Sequence, residues 1–208
     1  MGTGVIGWPI EPGSCGLSSA GGRPAYNVPA NRCAHMKGNA MKAMRLSKRE
    51  VRDTEALRAI VEACRTVRLG AMDDEGMFIV PVSFGYDWQV DSGGAPRLTL
   101  WFHSAKAGRK AAAFMANSED GTPVAIEMDC EDGLITGDFA CAYSFAYRSI
   151  MGSGRVFPVA ACTEKAHGLA RIMEHMAPGA PCAFSNEALS RVAVWRIEVD
   201  RFTGKRRG

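Results

Sequence analysis

Two apolar, β-prone runs at residues 66–72 and 77–86 flank Asp73-Asp-Glu-Gly76, a cluster of turn formers. Runs of that length around such a cluster make a β-hairpin, which commits the chain to antiparallel pairing. The second run is interrupted at Pro81. Proline has no N–H to give to a ladder, so a bulge or a sheet edge is expected there, with nearby backbone groups left free for a ligand. The plainer reading is that Pro81 only marks the end of a sheet.

Strands outnumber helices in the rest of the chain. Asp53 caps a helical pattern that places Leu57, Ile60, Val61 and Cys64 on one face. Residues 88–96 read as a loop, 97–103 as a strand and 107–117 as a helix. Residues 123–129 alternate, with Val124, Ile126 and Met128 on one side, and 131–137 read as a turn. The segment 140–155 is aromatic and polar without a helical stripe, so it reads as a loop entering a strand at Val156 and Phe157. A second amphipathic helix is expected over 163–176 with Leu169, Ile172, Met173 and Met176 inward, then a short helical turn over 186–191. Residues 192–199 alternate as a closing strand. The expected fold class is mainly β with flanking helices (α+β), roughly six strands forming a small barrel with helices packed outside.

Residues 1–43 stand apart, with Gly, Pro, Ser and Asn scattered among isolated apolar residues and no period of either kind. They read as a disordered extension ahead of a domain at 44–208. Met36, Met41 and Met44 lie just before the first patterned segment, so a start downstream of Met1 is a further expectation, which an intact mass beginning at Met1 would exclude.

Charge and cysteine usage narrow the class. Twenty-five basic residues against 22 acidic ones give a net charge of +3, too mild to argue for nucleic acid, and the basic run at 205–207 reads as a solvated end. Seven cysteines without a C-x-x-C pair indicate neither a zinc site nor a disulfide framework, so a reducing, cytoplasmic setting is expected. No apolar run approaches the roughly 18 residues of a membrane span, and no membrane partner is expected.

Chemistry concentrates in residues 98–115, where a β-prone run passes through His103, Ser104 and Gly108 into an Ala-rich helix that begins with Arg109 and Lys110. A helix start offers unpaired N–H groups and partial positive charge, and a hydroxyl with two cations beside it makes a phosphate site. First turns ordinarily favour acids, so the cations stand out; a solvated helix face is the competing reading. His167 and His175 lie eight apart on one helix, which is not metal spacing, and read as solvated. Cys141 reads as small apolar packing. Trp101 and Phe102 are adjacent in a strand, so one faces the barrel and the other a helix or a partner.

Four segments in order, Val80-Pro-Val-Ser-Phe-Gly-Tyr86, Phe102-His-Ser-Ala-Lys-Ala-Gly-Arg-Lys110, Tyr143-Ser-Phe-Ala-Tyr-Arg-Ser-Ile-Met-Gly-Ser-Gly-Arg155 and Val192-Ala-Val-Trp-Arg-Ile-Glu-Val199, resemble the pyridoxamine 5′-phosphate oxidase-like FMN-binding split barrels, and among them the nitroimidazole-resistance type. The resemblance covers residues 44–205. It implies a six-stranded split β-barrel and a homodimer with FMN at the interface. It implies that Arg109, Lys110 and Ser104 hold the phosphate and that Pro81, Val82, Ser83 and Phe84 run beside the flavin ring. Ser149, Met151 and Trp195 would come from the partner-chain side of the cleft. His103 would face flavin and substrate as a catalytic proton donor, where the bland reading is a histidine bonded to a nearby carbonyl. The implied activity is that of a flavin-dependent oxidoreductase passing hydride to a nitro-aromatic or another small electron acceptor. Related barrels hold haem or the deazaflavin F420, so a carrier, storage or sensing protein is the alternative, with His103 as an axial haem ligand.

Overall fold

The structure, a computed structural model, describes residues 44–208. The expectations for residues 1–43 fall outside them. A single turn of 3-10 helix leads into β1 (Glu50–Val51) and α1 (Thr54–Ala63). Asp53 caps α1, its carboxylate accepting from the Ala56 N–H at 2.8 Å, and Leu57, Ile60 and Val61 are buried as the period requires. The hairpin follows as β2 (Val67–Asp73) and β3 (Gly76–Val82), paired from Val67↔Val82 to Asp73↔Gly76. Then come β4 (Gly85–Val90), β5 (Pro96–Ser104), α2 (Arg109–Met115), β6 (Thr122–Ile135), β7 (Ser144–Pro158), α3 (Cys162–Met176), α4 (Asn186–Arg191) and β8 (Ala193–Arg207).

The strands form one antiparallel sheet in the order β3-β2-β6-β7-β8-β5-β4, with β1 on β8. The two ends of that path, β3 and β4, are consecutive in the chain, so the barrel is split where they are joined. Inside lie Leu69, Phe84, Leu100, Phe102, Phe114, Met128, Ile150, Val156, Trp195 and Ile197, capped by Val61 of α1. Phe102 and Trp195 stack with ring centroids 6.2 Å apart, and Phe114 of α2 meets both edge-on. Trp101 points the other way, into a second cluster with Val159, Ile172 and Val194 beneath α3.

The fold class is as expected, with eight strands among the described residues rather than six. The break in the long apolar strand falls at Ser83 and Phe84, not at Pro81, which sits within β3 opposite Arg68 on an edge strand. The loop expected at 88–96 shrinks to a turn after β4, where the Asp91 carboxylate accepts from the Gly93 and Ala95 N–H groups at 2.9 Å. The turn expected at 131–137 is mostly strand. β6 absorbs it through a bulge between Glu131 and Gly133, whose φ of 112° suits glycine. Residues 144–158, expected to be mainly loop, are β7, and the tail expected to be solvated extends β8 to Arg207.

Candidate functional site

The turn after β5 runs from Ala105 to Gly108, whose φ of 105° lies in the left-handed region, and no side chain caps α2. The first helical bond joins the Ala112 N–H to the Gly108 carbonyl at 3.0 Å. The N–H groups of Arg109, Lys110 and Ala111 precede it and are those a helix leaves unpaired.

The two cations of this turn have different fates. Arg109 reaches back to the β2–β3 hairpin, where Nε and Nη2 donate to the two Asp73 carboxylate oxygens at 2.7 and 2.8 Å and Nη2 donates to the Gly76 carbonyl at 3.2 Å. Its guanidinium lies 4.8 Å from the centre of the Phe78 ring. The Arg109 guanidinium holds the Asp73 carboxyl below the usual carboxylate range. Lys110 is half-buried with its ammonium 5.9 Å from the Phe102 ring centre, and burial pushes that ammonium below lysine's ordinary value. Among the described residues no carboxylate pairs with it, so it is a partly desolvated cation without a counter-charge.

Ser104 Oγ accepts from Trp195 Nε1 at 2.9 Å and donates to the Ala105 carbonyl at 2.8 Å. Its proton is thereby committed within the chain. His103 is exposed at the end of β5, opposite Val194, and among the described residues it makes no side-chain hydrogen bond. The bland expectation of a histidine serving a carbonyl therefore does not describe it.

On the hairpin side Pro81 and Ser83 are exposed, while Val82 and Phe84 are buried. Register places Pro81 in a row with Arg68 of β2, Glu127 of β6 and Met151 of β7, all on the outer face of the sheet. Ser149 lies one step along β7, opposite Asp129. This face also carries Met72, Met77 and Ile79, with small Gly70 and Ala125 between them. Arg68 spans its charged end, donating to Glu127 at 2.8 Å and Asp129 at 2.5 Å. Trp195 departs from expectation: at 1% exposure it is a core residue whose indole N–H is spent on Ser104, so it supports the turn from within.

Both histidines of α3 have partners that the sequence does not show. His175 is buried, its Nδ1 2.9 Å from the Phe84 carbonyl and Nε2 3.1 Å from that of Glu62, because the inward stripe of α3 is Gly168, Ile172 and His175. That i, i+4, i+7 spacing was legible but was centred on neighbouring apolar residues. His167 is exposed, as expected, and lies against Asp87, Nε2 to Oδ2 at 2.8 Å, where the same oxygen accepts from Trp101 Nε1 at 2.7 Å. Both histidines border the split side of the barrel. A cavity of 430 Å³ there, between α1, β4 and α3, is lined by Arg58, Tyr86, Trp88, Arg171 and His175 among others and contains none of the expected site residues. Cys141, expected to pack, is exposed on a 3-10 turn.

Residues 53–206 match the family model described as pyridoxamine 5′-phosphate oxidase. A candidate 5-nitroimidazole antibiotic resistance protein of Bacteroides thetaiotaomicron aligns at 29% identity and a TM-score of 0.60, over 75% of this chain and 85% of that one. The flavocytochrome Anf3 of Azotobacter vinelandii aligns at 22% identity and 0.61, over 80% and 72%. An FAD- and haem-binding protein of Mycobacterium smegmatis aligns at 16% identity and 0.60, over 76% and 73%. No curated protein matches.

Proposed function

The chain belongs to the pyridoxamine 5′-phosphate oxidase family, and from that premise we propose that it is an FMN-dependent oxidoreductase, a cytoplasmic homodimer that reduces a nitro-aromatic or another small electron acceptor. The observation that carries the reading is Lys110, a partly desolvated ammonium with no counter-charge among the described residues, at a helix start whose N–H groups are unpaired. That donor set fits a phosphate monoester. The likeness to a candidate nitroimidazole resistance protein supports the choice of acceptor.

In this reading Lys110 and the N–H groups at the start of α2 hold the phosphate, and Arg109 holds the hairpin against that turn through Asp73. Ser104, fixed by Trp195, sets the course of the turn. The exposed backbone around Pro81 and Ser83 borders the ring, and Ser149 and Met151 present the matching surface to a second copy. FMN when bound supplies the hydride chemistry. His103, which makes no side-chain hydrogen bond among the described residues, delivers a proton to the acceptor.

The test is a titration of purified protein with FMN followed by flavin fluorescence. Stoichiometric quenching is expected, with bleaching by NAD(P)H and recovery on adding a nitro-aromatic. Protein that quenches no FMN removes the proposal. A second reading, a haem or F420 carrier or sensor with His103 as axial ligand in the haem case, is favoured by the unpartnered imidazole and by the flavocytochrome and haem-binding neighbours. A Soret band in protein as isolated would select haem.

A further inference from the structure

Cys64 and Cys130 lie 66 residues apart in the chain, and their sulfurs are 3.3 Å apart in the fold. Cys64 is the C-cap of α1, fully buried and bonded through its N–H to the Ile60 carbonyl at 3.1 Å. Cys130 is half-buried on β6, just before the bulge at Glu131 and Gly133. Closing the gap to a sulfur–sulfur bond of about 2 Å brings the two sulfurs together by only about an ångström. We infer that Cys64 and Cys130 are a modification site, a thiol pair that hydrogen peroxide converts to a disulfide tying the end of α1 to β6.

The order of events follows from the surroundings. Burial pushes the Cys64 thiol up, helped by Cys130 and by the carboxylates Asp129 and Glu127, so Cys64 stays protonated and is not the first to react. Cys130 is the more accessible of the two and stands opposite Arg148 in the β6–β7 ladder. Arg148 is held by Asp132 through two bonds of 2.8 Å. Cys130 is therefore the sulfur that peroxide reaches first, and a cysteine reacts as its thiolate. That thiolate attacks peroxide, breaking the O–O bond to give the sulfenic acid and hydroxide, which takes up a proton to become water. Cys64 sulfur then attacks the sulfenic sulfur; the S–O bond breaks, the Cys64 proton leaves with the hydroxyl as a second water, and the S–S bond forms. Peroxide is reduced by two electrons and the two thiols are oxidised by two. Exposed Cys141, Cys162 and Cys182 lack such a neighbour among the described residues.

The experiment treats the full-length protein with stoichiometric hydrogen peroxide, blocks remaining thiols with iodoacetamide and maps the digest without reduction. The expected product is a cross-linked peptide pair containing Cys64 and Cys130, two hydrogens lighter than the thiols and restored by dithiothreitol. In Cys130→Ser the link should vanish and Cys64 should be recovered alkylated after denaturation. A treated wild type in which Cys130 is oxidised to sulfinic acid, or is linked to another cysteine while Cys64 remains a thiol, overturns the inference. The map is read on the wild type, so it stands even if Cys130→Ser folds poorly, and it does not depend on flavin binding.

Discussion

Lys110 and Arg109 are adjacent, both cationic and both at the start of α2, yet the fold gives them opposite work. Lys110→Met keeps the stem that packs toward Phe102 and removes a charge that burial disfavours, so the unliganded protein should melt no lower than wild type in a thermal scan. FMN affinity should fall by the 1.5–3 kcal/mol typical of a charge-assisted contact, roughly one to two orders of magnitude in Kd. Arg109→Ala should instead lower the melting temperature, because it unties the hairpin from α2. The pH dependence separates the two further. Asp73 has a folded-state value below its unfolded one, so its contribution is present above the ordinary carboxylate range near about 4 and is lost as pH falls through the folded value. A plot of melting temperature against pH should therefore have a shallower acid limb in Asp73→Asn than in wild type. If Asp73→Asn also tightens FMN, Arg109 is a phosphate ligand that Asp73 restrains; unchanged affinity leaves it as a strut.

At the scale of elements, α3 comes so close to the sheet that two glycines decide whether it can dock. A Cβ on Gly85 of β4 would lie 2.2 Å from the Arg171 carbonyl carbon, and one on Gly168 of α3 would lie 2.6 Å from the Trp101 ring. Gly168→Ala meets a side chain that can shift and should cost about 1–3 kcal/mol in denaturant unfolding. Gly85→Ala meets backbone, which cannot rotate aside, and should cost more or leave the protein insoluble. The helix was legible because its apolar residues recur with helical period, but its docking was not, since a glycine in sequence does not say which chain approaches it. The same contrast runs through the strands. The hairpin and β5 read as apolar, β-prone runs bounded by turn formers, and the start of β6 alternates, so these were readable. The second half of β6 and most of β7 were not, because Glu131, Asp132, Tyr147 and Arg148 lie on strands that are half solvated, and their place is set by long ladders rather than by local pattern. In the site, the Lys110 turn was visible as an unusual helix start, whereas Asp73 as the partner of Arg109 depended on tertiary proximity across 36 residues.

For the whole molecule the outer face of β3, β2, β6 and β7 raises the question of what covers it. Met72, Met77, Ile79 and Met151 are each more than half exposed, and Met77 reaches 86%. Apolar residues gathered on one face of an edge-containing sheet are a docking or aggregation surface unless covered. A second copy is the occupant that the proposed function requires, with the usual interface burying about 800 Å² per partner. The row that joins Pro81 to Met151 across four strands puts those two residues on this same face, as the proposed function requires of a cleft between two copies. Ile79→Asp separates folding from assembly. Ile79 is exposed at 72% in the single chain, so a charge there should change its own stability by no more than about 0.5 kcal/mol. In an interface the same carboxylate would be buried without a partner, at several kcal/mol per copy, and twice over in a two-fold dimer. Sedimentation at micromolar concentration should therefore find wild type as a dimer and Ile79→Asp as a folded monomer with a wild-type circular dichroism spectrum. FMN affinity should fall with the loss of the second copy, even though Lys110 and its turn are untouched. A variant that becomes monomeric and still binds FMN as wild type does would place the whole cofactor site within one chain, and wild type that sediments as a monomer would remove the dimer from the proposal.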